Sequence, residues 1–139
     1  MTGSHPRSAK AVVEELFTRQ KAGDDTVLDD LVAPDMVNHA AGLQGREGLR
    51  TILRTLEVDL GPTELEQHHL LGEGGLVVQH VTSHGFHRAS TMPLLAGVPV
   101  SGRPAAWTFI HIWRVVGGRI VEHWACRDDM GLVEQLRPS

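Results

Sequence analysis

The chain has no tyrosine, only one cysteine, and no apolar run near the roughly 20 residues needed to span a bilayer. Each absence excludes something. Without a phenol, acid/base chemistry must come from histidine or a carboxylate. With Cys126 alone no internal disulfide can form, which points to a reducing, cytoplasmic compartment. The stretch from Met1 to Lys10 is polar and lacks the apolar core of a signal peptide. A basic stripe is also missing. Thirteen Lys and Arg stand against 17 Asp and Glu, a net charge of −4, so neither nucleic acid nor a membrane surface is an expected partner.

What is present fits one ordinary globular domain. The chain has 139 residues, of which 41% are hydrophobic and nine are histidines. It is expected to fold as a single domain with residues 1–7 as a flexible tail. Ser8 is placed to cap a helix running to Lys21, with Val12, Val13, Leu16 and Phe17 at helical spacing. A short helix fits Thr26 to Val32, ended before Pro34. Met36 to Gly45 reads as a loop or short extended piece. Leu49, Ile52, Leu53, Leu56 and Leu60 form the apolar stripe of a helix from Arg46 to Leu60. The periodicity then changes to strands at Glu64–Leu71, Leu76–Arg88, Ala105–Val115 and Ile120–Arg127. Ser90 to Gly102 reads as a loop or partial strand over a pocket mouth, its Met92, Leu94 and Leu95 suited to a lid or dimer contact. A terminal helix fits Met130 to Leu136. Helices first and strands afterwards give an α+β fold with an antiparallel sheet curled around the helices.

The last hairpin turns at Gly117-Gly118, so Val116 faces Arg119. In unbroken register His111 lies opposite Trp124, Phe109 opposite Cys126, Trp107 opposite Asp128 and Trp113 opposite Glu122. All of these then share one face with Ile120. Aromatic rings around a few ionisable groups suit a small-molecule site, and a carboxylate among indoles would have a raised pKa. The same pattern also fits plain core, and Asp128 and Asp129 also fit helix caps. Ile110, Ile112 and Val121 fall on the opposite face. They are too apolar for water, which predicts a homodimer or homotetramer packed through the sheet.

The run Gly97-Val98-Pro99-Val100-Ser101-Gly102-Arg103, then Trp107 to Trp113, Gly118-Arg119-Ile120-Val121-Glu122-His123-Trp124, Asp128 and Gly131-Leu132-Val133-Glu134-Gln135-Leu136, resembles the SnoaL-like polyketide cyclases of the NTF2-like superfamily. Met36-Val37-Asn38-His39 and Gly45-Arg46-Glu47-Gly48-Leu49 add to the resemblance. It implies a cone: a strongly bent antiparallel sheet wrapped around N-terminal helices, with a cavity inside. It further implies cofactor-free intramolecular aldol closure, with Asp128 as general acid/base and His111 as its partner or oxyanion donor. Asn38, His39 and His80 are substrate-binding candidates, beside a wall of Trp107, Phe109, Trp113, Glu122 and Trp124. A hydroxylase, an epoxide-opening enzyme with an arginine–aspartate pair, and a non-catalytic binding module are the alternatives. Two departures stand out: Ala125 occupies the position after the tryptophan where many relatives carry Asp or Asn, and tyrosine is absent.

Other readings follow from single residues. His80 and His84 share a strand face and His87 points away; with His39 and His111 they form a rival metal set, disfavoured because no ligand spacing supports it. The neighbours His68 and His69 should point to opposite faces. Glu122 is expected to pair with Arg103 or Arg114. Cys126 reads as inert core, and Arg46-Glu47 as solvated helix surface.

Overall fold

The computed structural model describes residues 7–138. Most of the tail expected over residues 1–7 lies outside them. Arg7 itself is held against α1, pairing with Glu15 at 2.6 Å. The elements run α1 (Ala9–Lys21), α2 (Val27–Leu31), β1 (Val32–Asn38), α3 (Gly45–Leu60), β2 (Glu64–Glu73), β3 (Leu76–Phe86), β4 (Pro104–Val116), β5 (Arg119–Arg127) and α4 (Asp129–Leu136). Ser8 caps α1 as expected, its hydroxyl accepting from the Ala11 N–H at 3.1 Å. The sheet order is β1-β5-β4-β3-β2. This is the expected α+β arrangement, a curved sheet with the helices against its inner face.

Two elements differ from expectation. Residues from Val32 onward, split between a helix end and a loop in the sequence reading, form the edge strand β1. It pairs with β5 in parallel, so the sheet is not wholly antiparallel. Pro34 is tolerated there because an edge strand has one side without ladder hydrogen bonds. The segment Ser90–Gly102 holds a 3-10 turn at Pro93–Leu95, and Met92 and Leu95 are buried rather than displayed as a lid or dimer contact.

The core has two parts. One joins Val12, Val13 and Leu16 of α1 to Leu28, Leu31, Met36, Leu49, Val77, Trp113 and Ile120. The other gathers Leu60, Met92, Leu95, Ala105, Trp107, Leu132 and Leu136 under α4. Each fully buried Leu or Ile contributes about 1.5–3 kcal/mol. The stripe of α3 divides between roles: Leu60 is buried core, Leu49 is core that also borders a cavity, and Ile52, Leu53 and Leu56 face that cavity.

The Gly117-Gly118 turn forms as read, both glycines at positive φ (59° and 79°). The register beyond it does not hold. Val115 pairs with Ile120, but Arg114 pairs with Glu122, leaving Val121 as an extra residue in β5. This bulge moves every later side chain of β5 to the other face. Trp113 therefore faces His123, His111 faces Ala125 and Phe109 faces Arg127. Glu122, Trp124 and Cys126 are turned to the outer face, and Cys126 is exposed, not core. A second bulge, between Gln67 and His69 of β2, brings His68 and His69 onto one face, against His80, where opposite faces were expected.

Candidate active site

Between α1, α3 and the inner face of the sheet lies a cavity of about 120 Å³. Its apolar wall includes Leu16, Leu49, Ile52, Leu53, Leu56, Leu65, Val81 and Phe109. Its polar groups are Gln20, Asn38, Gln79, Ser83, His111, His123 and Arg127, and no carboxylate lines it among the described residues. Cavities of about 150 Å³ admit a benzene ring. This one is smaller, so it holds at most one small ring or the end of a short chain. A wider outer groove of about 440 Å³ shares Gln20, Leu53, Leu56 and Leu65 with it, giving a longer molecule room beyond the inner chamber.

Three polar side chains form a directional chain. The Ala40 N–H donates to Asn38 Oδ1 at 2.9 Å, which fixes that amide oxygen as an acceptor. His123 Nδ1 lies 3.1 Å from the same oxygen and so donates to it. A neutral His123 then presents a bare Nε2, to which His111 Nδ1 donates at 2.8 Å. The proton positions leave His111 Nε2 as a lone pair with no partner among the described residues. His111 retains some accessible surface, and that surface faces the cavity. Stacking holds the rings in place: His111 lies between Phe109 (5.3 Å) and Trp113 (5.1 Å), and Trp113 stacks on His123 at 4.1 Å. Trp113 is itself pinned by its N–H to Gln79 Oε1 at 3.1 Å, and Gln79 donates to Gln67 at 3.0 Å.

Burial controls the charge of this chain. It lowers His111 to about 3, helped by His123 and Arg127. It lowers His123 to about 4, helped by Arg127 and His39. Both imidazoles are neutral at pH 7, which the alternating donor–acceptor pattern requires.

The structure brings Asn38, His111, Phe109 and Trp113 together at the cavity as expected. It does not bring the others. Asp128 is exposed and caps α4, its carboxylate accepting from the Gly131 N–H at 2.9 Å. Any side chain at position 131 would strike that carboxylate. Trp107 is buried in the core beneath α4, its N–H donating to Asp129 at 3.2 Å. Glu122, Trp124 and His39 form a cluster on the outer face. His39 stacks on Trp124 at 4.8 Å and bonds Glu122 at 2.7 Å, and Arg114, one of its two expected partners, bonds Glu122 at 2.9 Å. These contacts hold the Glu122 carboxyl below its ordinary range, His39 first and Arg114 second. His80 also lies outside, 3.1 Å from His69, and His84 bonds Glu66 at 2.8 Å. His87 is fully buried between Ser90 and Ser101, where it anchors the loop. Among the described residues no three His, Cys, Asp or Glu side chains are arranged to hold a metal ion.

His123 and Arg127 were missed, for one reason. Unbroken alternation places the Glu122 carboxylate inside an aromatic face, a costly burial. A one-residue bulge moves it out beside Arg114 and brings His123 in. That conflict was the available signal.

Comparison with known proteins gives the context. The family model for SnoaL-like polyketide cyclases matches residues 9–136. Among solved structures, IdmH of Streptomyces antibioticus, named as a candidate polyketide cyclase, is 28% identical with a TM-score of 0.79, over 94% of this chain and 99% of that one. TsrD of Streptomyces laurentii is 25% identical with a TM-score of 0.79, over 96% and 98%. AclR of Streptomyces galilaeus, named as a candidate hydroxylase, is 21% identical with a TM-score of 0.77, over 92% and 94%, and shares the fold. A comparison with curated proteins returned no match. No helix among the described residues is long and apolar enough to cross a membrane. The match over nearly the whole described chain, together with this fold, places the protein in the SnoaL-like polyketide cyclase family.

Proposed function

We propose that the protein is an enzyme that closes a ring in a carbonyl-rich small molecule by intramolecular aldol addition, with His111 as the general base. The chain Asn38–His123–His111, ending in a bare Nε2 in the cavity, carries the reading. His111 Nε2 takes a proton from a carbon beside a carbonyl. The resulting enolate carbon attacks the second carbonyl, and the new alkoxide takes the proton back from His111. No cofactor is needed for these steps. The substrate's reactive end sits in the inner chamber, and the rest lies in the outer groove.

The low basicity of His111 does not oppose this. An enolate forming about 4 Å away is worth about 4 kcal/mol at an effective dielectric of 20. That attraction raises the basicity of His111 above its depressed level as charge develops. Asp128 has a structural role in this reading, as the cap of α4. The epoxide-opening alternative requires an arginine–aspartate pair in the cavity. Arg127 and Asp129 do approach at 3.4 Å, but Asp129 binds Trp107 and does not line the chamber.

Heptane-2,6-dione is a short test chain for the chamber and the groove beyond it, and it closes, with loss of water, to 3-methylcyclohex-2-enone, whose ultraviolet absorbance reports the reaction. The protein should accelerate this closure over buffer. His111→Gln should reduce the acceleration by ~10²–10⁴-fold, the usual share of one positioned base, and Asp128→Asn should retain it. No acceleration by the native protein, or full rate in His111→Gln, contradicts the proposal.

A further inference from the structure

The charge balance of the cavity is one-sided. Among the described residues, Arg127 is the only lining residue with a permanent charge, and nothing in the wall opposes it. Beside it on the same face, Ala125 lines the chamber and brings no polar group. The carboxylate expected nearby, Asp128, is turned out onto the Gly131 N–H. Arg127 is held only loosely, by Asp129 outside the chamber. Its contacts to Asp129 are long, 3.4 Å from Nε and 3.5 Å from Nη2, and its guanidinium rests 5.8 Å from the Trp107 ring centre. Fork donors remain for a planar oxygen pair.

Register places this cation relative to the base. Phe109 faces Arg127 and His111 faces Ala125, so Arg127 and His111 are diagonal neighbours on the inner face. Such neighbours stand about 7–8 Å apart at the backbone. A single ring bearing oxygens spans that gap, with one oxygen at the guanidinium and the acidic carbon beside His111 Nε2.

We infer that Arg127 is the counter-ion of an oxyanion site, and that the cavity selects acidic 1,3-dicarbonyl compounds bound as enolates over neutral ketones of the same shape. This rests on the proposed ring-closing reading for its biological sense, but binding tests it independently. An enolate entering this chamber meets a cation at one end and neutral imidazole at the other. A neutral ketone offers the guanidinium, which is exposed and only loosely held by Asp129, no charge to pair with and so gains little from it. A charged hydrogen bond of this kind is worth about tenfold or more in affinity.

The test compares two probes by calorimetry at pH 7.5: cyclohexane-1,3-dione, which is mostly enolate there, and 2,2-dimethylcyclohexane-1,3-dione, which has no acidic proton between its carbonyls and stays neutral. The native protein should bind the first about tenfold or more tightly, and the preference should shrink as salt is raised. Arg127→Met should bind the two within about twofold of each other, and Arg127→Lys should keep part of the preference. Equal binding by the native protein, or an undiminished preference in Arg127→Met as a size effect would give, overturns the inference. Enolate preference without closure of heptane-2,6-dione would sink the catalytic reading and leave this one standing. Closure without the preference would do the reverse.

Discussion

Acid should unfold this protein through the two cavity histidines, and the size of the effect follows from their burial. Both titrate well below an unfolded histidine at about 6.5: His111 at about 3 and His123 at about 4. Between those values the unfolded chain binds protons that the folded chain refuses. Stability is therefore full above pH 6.5 and is lost as pH falls. From pH 7 to pH 5 each ring contributes a loss of about 2 kcal/mol, roughly 4 for the pair. His111→Phe keeps the stack between Phe109 and Trp113 and removes one of the two rings. It also leaves His123 Nε2 without its donor, an added cost of about 1–3 kcal/mol at every pH. Urea unfolding followed by tryptophan fluorescence at pH 7, 6 and 5 separates the two effects. The variant should start less stable at pH 7 yet lose only about 2 kcal/mol by pH 5, half the native loss. Parallel losses in both proteins would refute the reasoning.

Three further outcomes are expected. Asp128→Ala should cost about 1 kcal/mol of stability through the lost cap, while Asp128→Asn should cost little, both measured by chemical unfolding. Asp59 is fully buried and accepts from the Thr91 and Met92 N–H groups at 3.0 and 2.8 Å and from the Thr91 hydroxyl at 2.6 Å. Asp59→Ala should therefore cost about 2–4 kcal/mol and expose the 88–92 segment to proteolysis. On the outer face of the sheet, Val37 is 47% and Ile110 45% exposed, beside Trp124 and Ile112. Light scattering should find a homodimer or homotetramer at micromolar concentration, and Ile110→Lys should shift it to monomer; a native monomer would count against covering of this face.

The helices and the hairpin were legible because their signals are local. Ser8, the α3 stripe and Gly117-Gly118 each specify an element with a few neighbouring residues. The edge strand β1 was not, since a parallel partner 85 residues on, as in the Asn38–His123 contact, leaves no local trace. The site was half legible. The facing of β4 was legible, because alternation holds along that strand, but Trp107 lies under α4 and not at the cavity. Everything past Val121 on β5 was inverted by one bulge, which put Trp124, Glu122 and Asp128 inside in place of His123 and Arg127. Asp128 fits two roles in sequence, acid/base group or helix cap, and only the direction of its side chain decides between them. His39 and His80 likewise depend on facing: each joins an aromatic or imidazole cluster outside the cavity.

The proton positions along Asn38–His123–His111 are the centre of the account, and nitrogen-15 chemical shifts of the histidine rings read them directly. At pH 7 both rings should be neutral with the proton on Nδ1, and the His111 Nε2 resonance should be that of a bare lone pair that shifts when cyclohexane-1,3-dione binds. A charged ring at pH 7, or a His111 proton resident on Nε2, would contradict it.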